Sequence, residues 1–511
     1  FLAEYGLSTD EGIALMCLAE ALLRVPDADT IDALIEDKIA PSDWGKHMGH
    51  STSPLVNAST WALMLTGKVL KDENPGPVGH LRGAIRRLGE PVIRTAVGRA
   101  MREMGRQFVL GETIESAMDR AAKMEKKGYT YSYDMLGEAA RTEADAARYA
   151  RDYEHAIAAI GRAARADSIV KNPGISIKLS ALHPRYEVAQ EDRVMAELVP
   201  VVLRLARQAK AGGMGMNIDA EEQDRLVLSL KVIEAVLSDP SLAGWDGFGV
   251  VVQAYGKRAG QTIDWLYDTA ARLDRKIMVR LVKGAYWDAE IKRAQQLGLA
   301  AYPVFTHKAH TDLAYLACTQ ALLAAGPAVY PQFASHNAGT LAAVLQMAQH
   351  AGLALDGSAF ELQRLHGMGQ AVFGQLARDA AVAGRLPVRV YAPVGAHREL
   401  LAYLVRRMLE NGANTSFVHQ LTDERLPADV LLASPFISPM LAPLSPALEP
   451  PRPQEPPAPG WSAGRPSAGL RVHEPPALRI ALPADLYGPL RRNARGLDLS
   501  CRATRRALLD A

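Results

Sequence analysis

The chain has 511 residues, 48% hydrophobic and 22% charged, and a net charge of +2, which allows a sizeable soluble core and gives no electrostatic reason to expect nucleic acid. Cys17, Cys318 and Cys501 are too few and too widely spaced for a disulfide framework or a cysteine-based metal site. No apolar run reaches the roughly 18 residues that span a bilayer and no signal peptide opens the chain, so a cytoplasmic protein is expected.

The chain opens on Phe1 rather than Met, so an upstream segment is expected. Residues 1–125 read as helical, because apolar residues recur at helical spacing in "EGIALMCLAEALLRV" and "TIDALIEDKIA" and again in "PVIRTAVGRAMREMGRQFVL" and "IESAMDRAAKMEKKG". No catalytic cluster stands in this part, and an arm that packs on a neighbouring copy, giving a homo-oligomer, is the expectation. From Tyr129 short β-like runs alternate with helical stretches. The runs are 129–136, 174–182, 215–221, 247–255, 277–287, 302–308, 329–335 and 360–367. Eight strand–helix units over about 280 residues predict a (β/α)8 barrel spanning 126–433. A doubly wound sheet competes, but no G-x-G-x-x-G follows any strand.

A ninth extended piece, "VRVYAPVGA" (388–396), reads as a loop crossing the barrel mouth ahead of the last helix. After it comes "YLVRRMLENGANTSF", with Arg406 and Arg407 adjacent. Neighbours on a helix sit about 100° apart, so two adjacent arginines do not share a face, and a solvated helix end is the plain alternative. Residues 434–475 are dense in proline and read as a linker without a core. Residues 476–511 look like the start of a further domain that is not completed.

In a barrel the C-terminal strand ends face the active site. Those ends carry Lys178, Asp219, Gln253, Arg280, Lys283, Thr306, Lys308 and His336. In "ISIKLSAL" strand alternation sends Ser176, Lys178 and Ser180 to one face, inward, where an uncompensated ammonium is costly. Asp219 is followed by Glu221 and Glu222, any of which can instead cap a helix. Arg280 and Lys283 lie in one β-rich run, with Gly284 allowing close backbone approach to a ligand. His307 and His310 raise the question of metal, but Lys308 between them repels a cation and no metal is expected. A mouth rich in cations, with Asp219 as its main carboxylate and Tyr286, Trp287, Tyr391 and Tyr403 nearby, suits an anionic ligand with a flat body, such as a flavin dinucleotide.

The stretches "ISIKLSAL", "NIDAEEQDR", "VVQAYGKRA", "MVRLVKGAYWDAEIKRAQ", "FELQRLHGMG" and "VRVYAPVGAHRELLAYLVRRMLENGANTSF" resemble, in order and content, the proline dehydrogenase part of the bacterial proline utilization A flavoenzymes. The resemblance covers roughly Asp134 to Leu421, and the preceding helical stretch, with "SPLVNASTWALMLTGKVL", is similar to the arm and α-domain of the same proteins. It implies a distorted (β/α)8 barrel that binds FAD and oxidises L-proline to Δ1-pyrroline-5-carboxylate, hydride passing from proline C5 to flavin N5 and electrons on to a membrane quinone. Docking on the inner face of the bacterial membrane would then be peripheral.

Carried over by motif, Lys178, Arg406 and Arg407 grip the substrate carboxylate, Tyr391 and Tyr403 wall the proline ring, and Tyr286 lies beside them. Asp219, Arg280 and Tyr391 are the expected catalytic set, with Arg280 near flavin N5. Ala220, Gln253, Arg280, Lys283, Gly284, Ala285, Trp287, Thr306, His307, Lys308, His336 and Glu410 fall where the family contacts FAD. No ribbon-helix-helix is seen before the arm, so no nucleic acid is expected for this chain. Of the aldehyde dehydrogenase half found in full-length members, only a piece like "DLYGPLRRNARGLDL" is present, and that second activity is expected to be absent. Two alternatives stay open: a barrel lyase with Lys178 or Lys283 as a Schiff base, and a catalytically silent assembly fragment.

Overall fold

Short strands buried on both faces are forced to recruit helices on the outside and to fill their own interior, and that is the arrangement found here. The computed structural model describes residues 108–378, 386–396, 480–488 and 491–510, together with Thr30, Tyr403 and Arg406. Eight parallel strands close a barrel in sequence order: β1 (Tyr129–Met135), β2 (Gly174–Ile177), β3 (Met216–Ile218), β4 (Phe248–Gln253), β5 (Ile277–Val282), β6 (Val329–Ala334), β7 (Glu361–Leu365) and β8 (Val388–Val394). This is the expected (β/α)8 class.

One strand assignment needs correction. Residues 302–308, expected as the sixth strand, lie outside the barrel and make only an isolated antiparallel bridge, Val304 to Gly256. Pro303 cannot donate to a ladder, and its carbonyl accepts from Lys257 N while Phe305 N donates to the Tyr255 carbonyl. The piece expected to be a loop, 388–396, instead supplies β8, paired with β7 from Leu362↔Val388 to Leu365↔Tyr391. The count of eight survives because one error offsets the other.

The run 174–182 also splits. β2 stops at Ile177, and a one-turn helix, α1 (Leu179–Leu182), begins with Lys178 as its N-cap residue.

The barrel interior is polar at its centre. Asn217 on β3 donates to Gln332 on β6 at 2.9 Å, across the barrel, and Gln332 and Gln363 both donate to Glu361 Oε1 at 2.8 and 2.7 Å. Arg389 Nε lies 2.7 Å from the same oxygen, and both charged groups are buried. A Cβ at Gly249 would stand 2.4 Å from the Asn217 amide, so this glycine on β4 makes the room that Asn217 fills. Outside, the apolar faces of the strands meet the helices, with Tyr131, Tyr133, Tyr153, Tyr315, Phe333 and Phe360 among the largest fully buried side chains.

The chain divides into two compact units, one of Phe1–Ser116 with Val394–Pro427 and one of Ala117–Pro393 with Ala428–Ala511. In the first, Gly111 bridges Val394 in parallel and Gly395 N donates to the Gly111 carbonyl. In the second, residues 480–488 and 491–510 lie against the barrel. Ile480 packs on a cluster of Tyr255, Ile291, Tyr302 and Val304, and Tyr302 Oη donates to the Ala481 carbonyl at 2.6 Å. The expected helices before residue 108 and the proline-rich stretch 434–475 lie outside the described residues. Among the described residues no helix is long and apolar enough to cross a membrane.

Candidate active site

Strand alternation places Ser132 and Asp134 of β1 on the inward face, and Asp134 becomes the partner of Lys178. The Lys178 ammonium lies 2.5 Å from Asp134 Oδ1 and 3.3 Å from Asp219 Oδ2. Across the barrel, Arg280 on β5 reaches Asp219 Oδ1 at 3.1 Å and is fixed by Gln363 Oε1 (2.7 Å), Ser176 Oγ (3.0 Å) and Ser132 Oγ (3.1 Å). Tyr391 on β8 donates to Asp219 Oδ2 at 2.7 Å, and the Arg280 guanidinium sits over its ring, 5.2 Å from the centroid. The three residues expected to be catalytic and Lys178 therefore meet at one end of one barrel.

The charges there balance. Burial opposes the Lys178 charge, but the facing Asp134, Tyr391 and Asp219 hold the ammonium protonated well above the ordinary lysine range. Burial pushes the Asp134 carboxyl up, the Lys178 ammonium pulls it down, and the Asp219 charge pushes it up again. Burial first, then the Asp134 and Asp219 charges, drive the Tyr391 hydroxyl far up, so it stays a donor. Among the described residues two cations face two carboxylates there, Asp134 standing beside the expected Asp219. Asp134 was missed, although the alternation that points Lys178 inward points Asp134 inward too.

A second cluster forms where the cofactor was expected. Lys283 Nζ lies 2.5 Å from Asp312 Oδ1 and donates to Thr340 Oγ1 at 3.2 Å, while Lys308 Nζ lies 2.5 Å from Asp312 Oδ2. Burial, then the Lys308 charge, lowers Lys283 to about 8. Asp312 escaped the sequence reading, though it stands one helical turn after Lys308. Gln253 Nε2 donates to the Ala220 carbonyl at 3.5 Å and its Oε1 accepts from Gln223 at 2.8 Å. Next along, His336 Nε2 accepts from Leu365 N at 3.0 Å, which leaves its proton on Nδ1.

Other expected residues have further duties. Gly284 has φ +136°, and a Cβ there would stand 2.4 Å from the Tyr255 ring, so the glycine answers to Tyr255 as well as to any ligand. Trp287 Nε1 donates to the Phe305 carbonyl at 2.8 Å and packs on the Tyr255 cluster, tying down the chain that carries buried Thr306. Ala285 and Tyr286 are partly buried beside it. His307 and His310 meet edge to face with centroids 5.3 Å apart, and among the described residues no group of three metal-capable side chains forms. Glu221 binds the turn after β2, through Ser180, and Glu222 makes no capping hydrogen bond with its side chain. Buried Tyr403 and partly buried Arg406 belong to the other unit. Arg407 and Glu410 lie outside the described residues.

Residues 117–420 match the family model described as proline dehydrogenase. The chain belongs to the proline dehydrogenase family. Within that family it is 52% identical over 502 residues to the bifunctional protein PutA of Klebsiella aerogenes, covering 98% of this chain and 36% of the relative. It is 51% identical over 511 residues to PutA of Rhizobium meliloti, covering 99% and 38%. A crystal structure of a mutant of Bradyrhizobium japonicum proline utilization A superposes with a TM-score of 0.70 at 50% identity, over all of this chain and 48% of that one. The chain thus spans little more than a third of the length of these curated relatives. Residues 1–108 match a model described as the DNA-binding domain of proline dehydrogenase, so the expectation of no nucleic acid gains no support from the comparison. Family membership also sets the lyase alternative aside. Lys178, held charged between two carboxylates, is the wrong form for a Schiff-base nucleophile, which must be an uncharged amine.

Proposed function

We propose that the barrel oxidises L-proline to Δ1-pyrroline-5-carboxylate with FAD as its bound oxidant. The observation that carries this is the closed set of Asp134, Lys178, Asp219, Arg280 and Tyr391 at the mouth of a proline dehydrogenase family barrel. Lys178 binds the proline carboxylate. Its charge and that of Arg280 are already matched by Asp134 and Asp219, so the acid needs further cations, and Arg406 and Arg407 supply them in this reading. Tyr391 and Tyr403 wall the ring, with Tyr286 beside them, and Asp219 keeps Tyr391 and Arg280 in place.

The residues present suit FAD by their chemistry. Lys283 and Lys308 share the single carboxylate of Asp312, leaving positive charge for a pyrophosphate, and Gln253 with Ala220, His336, Thr306, His307, Gly284, Ala285, Trp287 and Glu410 complete the proposed contacts. FAD, when bound, supplies a two-electron acceptor. Arg280, locked by four partners, holds a fixed cation where reduction would develop negative charge. Proline loses a hydride from C5 and a proton from nitrogen, which leaves the C=N bond of the product. Electrons then pass to a membrane quinone, with the protein cytoplasmic and docked peripherally, and the arm joins copies into an oligomer.

Steady-state oxidation of proline by the FAD-loaded chain with an artificial electron acceptor tests the reaction. Turnover is expected to rise with pH as the substrate amine deprotonates. A flat profile from mildly acidic to alkaline conditions would contradict the uncharged-amine step, and the absence of turnover would leave the silent fragment as the answer.

FAD affinity carries a second pH signature. An anion raises the Lys283 pKa from about 8, so affinity is greatest below about 8 and falls as pH rises through that value. Titration of apoprotein with FAD at about pH 7 and about pH 9.5 is expected to show weaker binding at the higher pH, and Lys283→Arg is expected to flatten the difference. Equal slopes in both proteins would remove Lys283 from the cofactor site. For residues 1–108 the family description favours a second reading, binding to DNA, and a gel shift at moderate salt with unrelated duplexes decides it.

A further inference from the structure

Glu221, one of three carboxylates able to cap a helix, is instead bound to the turn after β2. Its Oε2 accepts from Ser180 N at 3.1 Å and its Oε1 accepts from Ser180 Oγ. The same hydroxyl accepts from Ala139 N at 3.0 Å, and the Ser180 carbonyl accepts from Ala140 N at 2.9 Å. Ser180 is buried, and among the described residues the Arg225 guanidinium, 3.9 Å away, forms an ion pair with Glu221.

These bonds join three strand ends. Ala139 and Ala140 follow β1 and Asp134, Ser180 lies two residues after Lys178, and Glu221 lies two residues after Asp219. Lys178 is further held from outside the barrel, its backbone N–H donating to the Tyr153 hydroxyl at 3.1 Å. On the far side of the same loop, Gln223 N donates to buried Glu290 at 2.7 Å and the Arg258 guanidinium donates to the Gln223 carbonyl. The loop after β3 is therefore anchored at two points that follow Asp219, Glu221 and Gln223.

We infer that Glu221, acting through Ser180, is a positioning residue that sets the Lys178 ammonium against the substrate carboxylate. This rests on the proline-oxidising reading above and adds a residue that touches neither substrate nor cofactor in it. β2 ends at Ile177, and Lys178 is the last extended residue before the turn to which Ser180 belongs, so its backbone depends on that turn while Asp134 holds only the tip of its side chain. The Ser180–Glu221 link closes the turn that follows, and an anchor displaced by about 1 Å costs up to about a hundredfold in catalysis.

The test is a cycle on the FAD-loaded chain. Glu221→Ala is expected to lower kcat/KM for proline by about tenfold or more, mainly through KM, in the otherwise unchanged protein. With Lys178→Met already present, adding Glu221→Ala is expected to cost less than about twofold, because the group it positions is gone. Glu221→Gln, which keeps one acceptor for Ser180, should recover most of the loss. Equal costs in both backgrounds, or a loss in kcat alone, would overturn the inference. Where Glu221→Ala does not fold, Ser180→Ala enters the same cycle with the same two outcomes. Calorimetric binding of a five-membered ring carboxylate lacking the nitrogen needs no turnover. It should weaken in Glu221→Ala if the inference holds, and unchanged binding would refute it. An unchanged chain that binds this acid yet fails to oxidise proline would instead refute the reaction.

Discussion

Lys178→Met is expected to lower kcat/KM for proline by about a hundredfold to a thousandfold, the range for removing one member of a buried, hydrogen-bonded charge pair. The same change strips Asp134 and Asp219 of the ammonium between them, and breaking such a pair costs about 3–5 kcal/mol of stability. Asp134 relieves part of that cost by taking up a proton, since burial already raises its pKa. The sign follows from proton counting. In the variant the folded state holds a proton that the unfolded chain has lost, so stability falls as pH rises above the ordinary carboxylate range. Adding Asp134→Asn removes the proton requirement and should restore the thermal midpoint and flatten its pH dependence, while activity stays low. Recovery of activity in the double variant would mean that Lys178 serves Asp134 and not the substrate.

Arg389→Leu should produce the largest loss of stability in the barrel, about 3–5 kcal/mol and enough to leave little folded protein. The guanidinium is buried and meets Glu361, itself fully buried, at 2.7 Å, and it also donates to the carbonyls of Tyr131, Asn172 and Val170 at 3.3, 2.9 and 2.6 Å. Removing it strands a carboxylate and three carbonyls where water cannot replace it. Glu361 also accepts from Gln332 and Gln363, and Gln363 presents its oxygen to Arg280, so the floor of the barrel orients Arg280. Glu361→Gln is therefore expected to loosen Arg280 and lower kcat even where the protein still folds. Denaturant unfolding and kinetics on the two variants check both statements, and an Arg389→Leu protein as stable as the parent would show that the interior network contributes little.

What the sequence made legible was the period of the strands and the chemistry at their ends. Arg280 stands inside the barrel because a charge in an alternating buried strand has few places to go, and Lys178 and Asp219, one residue beyond their strands, meet it there. The sequence places Tyr391 near the mouth and the resemblance gives it its role, while its strand reads as a loop. Strand β8, read as a loop, carries Arg389, whose buried place is explained by the facing Glu361 and by three backbone carbonyls. The segment 302–308 looked like a strand because Tyr302, Val304 and Phe305 are apolar, but their burial comes from the loop after β4 and from Ile480, nearly 180 residues onward. Asp312 and Asp134 each needed only a period applied consistently, i to i+4 on a helix and i to i+2 on a strand. The Ser180–Glu221 link was beyond reach, since nothing in sequence says that the chain turns away after Lys178.

The most direct test is the visible absorption of the FAD-loaded chain before and after L-proline is added without oxygen. The flavin band is expected to bleach for the parent protein, to bleach far more slowly for Lys178→Met, and to return when an electron acceptor is supplied. A band that stays unchanged in the parent at saturating proline would contradict the claim that the Asp134–Lys178–Asp219–Arg280 cluster binds proline for oxidation.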